Sequence, residues 1–397
     1  VTAELLAITT LDLEGVHCRL SGEDVERGTF SQRQIVWSDI VGGNKHYPLA
    51  PIEICNSPLS ELGVLGFEYG YSVARPADSL VLWEAQFGDF VNGAQTIIDV
   101  VLSSSDEKWG LQSGLTLLLP HGYDGMGPEH SSARLERWLQ LFSHNLNRPL
   151  SQQAVVENYE PDLRYESANM VIAYVSDPAN YFHLLRRQLT WRFRRPLVVL
   201  TPKRTLRLSS AYSDLSNFLH QTDFHCGNTM LNTFHPVIDD PRMKLLIDGI
   251  SYPPSSIRAV ILCSGELYYD LDRLRKNESQ GNKDMSLSEK VAIVRLEELA
   301  PFPYRELTQV LGKYTGARAI AWAQEEPSNQ GARQFVLENL MSREMKPTFR
   351  SSKILSVTSL SRPEASAPAV GHPQLHHDSQ EKLLSDVLKW SEEVCCS

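Results

Sequence analysis

Two histidines, His121 and His130, bracket a loop that also holds three glycines and the acids Asp124 and Glu129. The loop follows the apolar run 115–119. In a parallel sheet, ligands bind in the loops beyond the carboxyl ends of strands. Imidazoles there can take or give protons near neutral pH, and glycines let backbone approach a ligand closely. The glycine order is not the dinucleotide fingerprint, and no third ligand has a spacing that would make the histidines a metal site. Ser131 beside His130 offers a nucleophile–base pair, although no G-x-S-x-G elbow surrounds it. A richly furnished connector is the structural alternative.

Three other stretches carry chemistry-bearing side chains. In Ser57-Pro58-Leu59-Ser60-Glu61, the Ser57-Pro58 pair predicts a helix start, a capping hydroxyl followed by a residue with no amide to satisfy. Gly63, Gly66 and Gly70 then recur at helical spacing, each costing up to about 1 kcal/mol relative to Ala. That slim face suits close approach of another group, with Glu61 in the first turn beside it. The simpler reading is that Glu61 complements the helix dipole. In Glu84-Ala85-Gln86-Phe87-Gly88-Asp89-Phe90, two aromatic rings three residues apart either present a face to a flat ligand or join the core. The run Gln324-Glu325-Glu326-Pro327-Ser328-Asn329-Gln330, placed after a strand ending near Trp322, reads as an interdomain or subunit contact.

The elements that must position these residues are legible as short apolar runs bounded by turn signals: 79–83, 115–119, 171–175, 197–201, 259–263, 291–296 and 317–322. Continuous runs of this length suit strands buried on both faces. Helical patterns at 59–71, 94–102 and 181–194 lie between them, so the fold class is α/β with mostly parallel sheets. The pattern weakens over 206–256, which reads as an interdomain connection, and 272–290 reads as a surface loop. A Pro-, Ala- and Ser-rich tail (361–377) precedes helical spacing at 379–390.

Composition bounds the function. The chain has 397 residues, enough for two or three domains, with 42% hydrophobic and 22% charged residues. Its 38 basic and 48 acidic residues give 38 − 48 = −10, the wrong sign for a nucleic-acid binder. No apolar run is long enough to span a bilayer. The cysteines, Cys18, Cys55, Cys226, Cys263, Cys395 and Cys396, form no C-x-x-C unit and read as reduced thiols. The chain opens on Val1 within a helical pattern at 3–7. It reads as a processed chain or fragment, with any targeting segment upstream.

Taken in order, the stretches resemble one family. RLSGEDVERGTFS (from Arg19), LSELGVLGFEYGYS (from Leu59), LWEAQFGDF (from Leu82) and LLLPHGYDGMGPEHSSARLERWLQ (from Leu117), then FHLLRRQ, FRRPLVVLTPK, CSGELYYDL, VRLEELAPFPY and WAQEEPSNQG, are similar to the carboxyl-terminal part of the thiamin-diphosphate-dependent decarboxylating component of 2-oxoglutarate dehydrogenase complexes. Gln32 before Arg33, with HGYDG and QEEP, is more like the 2-oxoadipate branch. Gln34 departs from the histidine pattern of both branches.

The resemblance implies a transketolase-like pyrimidine-binding domain over 1–205, a linker over 206–255 and a smaller transketolase-type carboxyl-terminal α/β domain over 256–397. It implies thiamin diphosphate as cofactor, with Glu61 sharing a proton with the aminopyrimidine. Leu59, Gln86, Phe87 and Phe90 would surround that ring, and His121 and His130 would face the thiazolium side. Gln32 and Gln34 are substrate-side candidates. Neither the Gly-Asp-Gly nor the Asn pair that holds the diphosphate through Mg²⁺ occurs here, so those contacts are expected from an amino-terminal half outside this chain. The implied reaction is oxidative decarboxylation of 2-oxoglutarate or 2-oxoadipate with acyl transfer to a lipoyl group, a step of the tricarboxylic acid cycle or of lysine degradation. Expected partners are a second copy or an amino-terminal half-chain, the lipoyl-bearing acyltransferase and dihydrolipoyl dehydrogenase. The expected location is the mitochondrial matrix in a eukaryote or the cytoplasm in a bacterium. The alternative is a truncated or degenerate subunit that only pairs with a complete one.

Overall fold

The computed structural model describes residues 1–49, 51–75, 78–144, 163–219, 221–222, 229–230, 233–243, 253–280, 289–352 and 354–396. The chain divides into two compact units, one of residues 1–121 and 140–234, the other of residues 122–139 and 235–397.

The first unit contains helix α1 (Thr2–Leu13), strands β1 (His17–Gly22) and β2 (Glu53–Asn56), helix α2 (Glu61–Ala74), strands β3 (Ser79–Glu84), β4 (Thr116–Pro120) and β5 (Val171–Ala173), helix α3 (Pro178–Thr190) and strand β6 (Leu197–Thr201). Within the unit, its strands lie in the order β5–β6–β4–β3–β1–β2, every neighbour pair parallel. Strands β3, β4 and β6 are buried along their whole length, which is why they read as unbroken apolar runs. Leu20, Leu82, Leu118 and Val199 pack there with Ala7, Ile8 and Leu11 of α1 and with Leu185 of α3. Each fully buried leucine contributes about 1.5–3 kcal/mol.

Register brings the strand ends to one edge. Gly22 stands opposite both Asn56 and Glu84, Glu84 opposite Leu118, and Pro120 opposite Thr201. Residue 22 must be glycine. Its φ is +147°, and a Cβ there would lie 2.2 Å from the Glu84 carbonyl oxygen.

The second unit holds β7 (Val237–Ile238), β8 (Ala259–Cys263), α4 (Leu267–Gln280), β9 (Val291–Leu296), α5 (Tyr304–Leu311), β10 (Ala319–Pro327), α6 (Arg333–Leu340), β11 (Ser356–Arg362) and α7 (Pro373–Cys396). Its five-stranded sheet runs β7–β9–β8–β10–β11, antiparallel only between β7 and β9. Ile261, Ile293 and Ala323 pack against Leu267 and Leu271 of α4 and Leu383 and Val387 of α7.

Several expectations change. The hydroxyl of Ser57 caps nothing and bonds to Pro58 O (3.2 Å). The helix is capped by Ser60, whose Oγ accepts from Gly63 N–H (3.2 Å). An Ncap hydroxyl has to sit immediately before the first helical turn. Residues 272–280 belong to α4 and are not loop, and 281–288 fall outside the described residues, as does Cys226. Strand β10 runs on through Pro327, so Glu325 and Glu326 are strand residues, both buried. Gln324 there accepts from Trp322 Nε1 (2.9 Å) and donates to Gln330 O (2.8 Å), closing the turn that follows. Within 206–255, β7 joins the second sheet; 220, 223–228, 231–232 and 244–252 are outside the described residues.

Candidate active site

Helix α2 is anchored from below. Arg19 of β1 makes a paired contact with Glu68 (Nε–Oε2 and Nη2–Oε1, both 2.8 Å) and also bonds Glu53. Val64, Leu65 and Tyr69 bury the same face. A two-pronged guanidinium–carboxylate contact fixes orientation as well as distance. It sets the amino terminus of α2, and with it Glu61, at the edge where β1, β2 and β3 end.

Glu61 is half-buried, and its carboxylate makes no hydrogen bond or ion pair among the described residues. It faces Gly93, where a Cβ would come 3.3 Å from Oε2. Gly93 lies in a 3₁₀ turn (Gly88–Ala94) that Phe87 precedes and Phe90 joins. Both rings are half-buried and meet edge-on, centroids 5.9 Å apart. Phe30, from the segment after β1, meets Phe87 edge-on at 5.4 Å. Gln86 hydrogen-bonds Glu23, whose carboxyl is raised above its ordinary range by burial and by the charges of Asp24 and Glu61, with the Gln86 bond working the other way. The structure thus connects Glu61, Gln86, Phe87 and Phe90. It adds Glu23, Gly93 and Phe30, which sequence reasoning did not single out.

Of the three glycines of the α2 stripe, only Gly63 is pressed by a described residue, a Cβ there coming 3.2 Å from Ser60 Oγ. A Cβ at Gly66 would make ordinary contact with Ile97 (3.5 Å), and one at Gly70 would meet nothing. Leu59 is 80% exposed and Phe67 60%, with Leu62 exposed on the same face. This side of α2 is open and apolar.

Gln32 is half-buried, its Oε1 accepting from Phe30 N–H (2.9 Å). It lines a cavity of about 430 Å³ together with Phe30, Arg33, Glu84, Pro120 and Thr201. Gln34 is exposed, in a left-handed conformation (φ +43°), and its carbonyl accepts from Trp37 Nε1 (3.0 Å). His121 directly follows β4 and is buried. Its N–H donates to Thr201 O (2.9 Å), and its ring stands edge-on to Tyr174 at 5.2 Å.

His130 belongs to the second unit, in a 3₁₀ turn (Pro128–His130), half-buried. There Gly122 N–H donates to Ser131 O (3.0 Å), closing the loop. Ser131 is fully buried with its hydroxyl donated to Gly127 O (2.6 Å), which does not suit a nucleophile open to substrate. Among the described residues no group of three or more His, Cys, Asp or Glu side chains is arranged to hold a metal ion. No helix among them is long and apolar enough to cross a membrane.

Comparison with known proteins matches this architecture. A family model for the transketolase pyrimidine binding domain matches residues 1–209, and one for the 2-oxoglutarate dehydrogenase C-terminal region matches residues 227–388. The chain is 43% identical over 392 residues to a 2-oxoadipate dehydrogenase complex component E1 of Danio rerio, covering 97% of this chain and 37% of the relative. It is 41% identical over 401 residues to a mitochondrial 2-oxoglutarate dehydrogenase of Dictyostelium discoideum (98% and 36%). It is 42% identical over 394 residues to a 2-oxoglutarate dehydrogenase E1 component of Brucella anthropi (98% and 35%). The chain therefore spans just over a third of the length of these curated relatives.

Proposed function

The chain belongs to the family of 2-oxoglutarate dehydrogenase decarboxylating components, and from that premise we propose that its first unit supplies the pyrimidine side of a thiamin diphosphate site. The observation that carries this reading is Glu61. It is a half-buried carboxylate without a protein partner, set on an anchored helix end beside the Phe87–Phe90 turn. That carboxylate keeps contact with solvent and with no protein donor among the described residues, which leaves it open to a ring nitrogen supplied by a ligand.

Thiamin diphosphate, when bound, supplies a nucleophilic thiazolium carbon that lets a 2-oxo acid lose its carboxylate. The protein's share is position and proton traffic. Glu61 holds a proton against the aminopyrimidine nitrogen. Phe87 and Phe90 flank the ring, aromatic contact contributing about 0.5–1.5 kcal/mol beyond area burial. Gln86, bonded to Glu23, steadies that wall, and Leu59, just before α2, is given a place at the ring on resemblance alone. His121, shielded from water, exchanges a proton at its ring nitrogen with the reacting oxygen. We assign His130 the same class of task on resemblance alone. Gln32, on the cavity, takes the substrate side, the acid being 2-oxoglutarate or 2-oxoadipate; Gln34, at the surface, is given that side on resemblance alone.

Mg²⁺ and the diphosphate are held by residues outside this chain, in an amino-terminal half. The open apolar face of α2 (Leu59, Leu62, Phe67) fits a partner there, a second copy or that half. The acyl group passes to the lipoyl arm of an acyltransferase that dihydrolipoyl dehydrogenase reoxidises, in the mitochondrial matrix or the bacterial cytoplasm. Calorimetry with thiamin diphosphate and Mg²⁺, on the chain with and without an amino-terminal half, tests the reading. Heat of binding in the reconstituted pair is expected. None in either sample would leave a non-catalytic pairing subunit.

A further inference from the structure

Arg33 sits between the two substrate-side glutamines, yet its own side chain is only 1% exposed. All three guanidinium nitrogens are engaged. Nε donates to Glu4 (2.9 Å), Nη1 to Val25 O (3.1 Å) and to Glu84 Oε1 (3.0 Å), and Nη2 to Glu84 Oε2 (2.7 Å). Glu84 ends β3, immediately upstream of the segment that presents Gln86 and Phe87. Phe30, from the same loop as Arg33, touches Phe87. Two contacts thus tie the loop 27–36 to the segment 84–90.

The loop does not hold this shape by local preference. Ser31 (φ +54°) and Gln34 (φ +43°) are non-glycine residues in the left-handed region, which persists only where surroundings impose it. The N–H groups of Arg33 and Gln34 both donate to Arg27 O (3.0 Å each), and Ile35 N–H to Glu26 O (2.9 Å). Turning Arg33 inward turns its neighbours outward, Gln32 toward the cavity and Gln34 to the surface. A buried guanidinium is not needed for stability alone, since apolar side chains of similar volume usually serve as well. What it adds is a rigid planar fork that Lys cannot reproduce.

We infer that Arg33 is a positioning residue for the proposed thiamin site: clamped between Glu84 and Glu4, it locks the loop 27–36 against the segment 86–90 and so sets where Phe87 and Gln32 stand. The function assigned to Arg33 rests on the reading above, but the coupling between the two segments is measurable without it.

Two variants separate clamping from mere burial of charge. Arg33→Lys keeps the charge and loses the fork. Arg33→Met/Glu4→Gln/Glu84→Gln removes all three charges and leaves no orphaned carboxylate. Hydrogen-exchange mass spectrometry on the full chain should show exchange rising roughly tenfold in both 27–35 and 86–90, in both variants, with 116–120 and 197–201 unchanged. In the cofactor-binding assembly, the Kd for thiamin diphosphate and the KM for the 2-oxo acid should each rise roughly tenfold, within the range indirect positioning produces, with kcat at saturation within about threefold. A rise confined to 27–35, or one spread over every strand of the first unit, would overturn the inference, as would a fall in kcat at unchanged Kd and KM. If the wild-type assembly binds no thiamin diphosphate, the proposed function fails while the exchange result still decides the coupling.

Discussion

Glu61 in the first unit and Asp240 in the second are two acids treated in opposite ways. Asp240 is completely buried and saturated. It accepts from Arg242 Nη2 (2.9 Å), Arg275 Nη1 (2.7 Å) and Ile293 N–H (3.0 Å). Burial alone would push its carboxyl up, but Arg275 and Arg242 outweigh it and hold the group below its ordinary range. Glu61 is half-buried, with no such partners among the described residues. An acid surrounded by donors holds structure together, whereas an acid left open at an anchored helix end is available to a ligand.

The largest expected effect is on the open acid. Glu61→Ala in the cofactor-binding assembly should lower turnover by about 10²–10⁴-fold, with unfolding free energy changed by less than about 0.5 kcal/mol. A comparable loss of stability in urea melts would make Glu61 structural and break the contrast. Asp240→Ala should do the reverse, costing about 3–5 kcal/mol because the buried Arg242 and Arg275 lose the carboxylate they share, Arg275 keeping Asp272. Asp240 also predicts a pH signature. Its folded pKa is depressed, so its contribution is fully present above the unfolded aspartate value of about 3.9. The contribution disappears as pH falls through the lower folded value. Urea melts at pH 7 and at stepwise lower pH should show wild type losing stability over that acid range more steeply than Asp240→Asn.

Smaller effects sharpen the same contrast. Phe87→Ala should weaken thiamin diphosphate binding in the assembly by about 0.5–1.5 kcal/mol beyond the area lost, read by calorimetry, with little change in melting. Ser60→Ala removes the Ncap of α2 and should cost about 1 kcal/mol. Because Glu61 is the next residue, cofactor affinity should fall with it. An unchanged affinity would mean that the anchor at Arg19–Glu68 positions α2 unaided.

What could be read from the sequence follows from burial. Strands β6, β8 and β9 stand at the residues expected, 197–201, 259–263 and 291–296, because strands covered on both faces carry unbroken apolar runs. Strand β1 left no such trace. Its Arg19 is polar and buried, made tolerable only by Glu68 and Glu53, which are distant in sequence. Strand β11 lies at the sheet edge, half-buried along most of its length, and has a mixed composition. The last residues of β10 include two acids, which no periodicity assigns to a buried strand.

The site was legible in part. Glu61 and the Phe87–Phe90 pair are ambiguous taken singly, and the order of the motifs singled them out. Glu23 lies in an acidic run, Glu23-Asp24-Val25-Glu26, where sequence gives no reason to prefer one carboxylate. Only the fold brings that residue to Gln86 and into the field of Glu61. The Ser57-Pro58 pair pointed to the wrong cap for α2, because the first turn begins at Glu61 and takes Ser60 as its Ncap.

The most direct test of Glu61 is the rate at which the thiazolium C2 hydrogen of thiamin diphosphate exchanges for deuterium, followed by proton NMR in the cofactor-binding assembly. Glu61→Gln should still bind the cofactor and should slow exchange by at least about 100-fold relative to wild type. Exchange at the wild-type rate with the cofactor demonstrably bound would contradict the role given to this carboxylate.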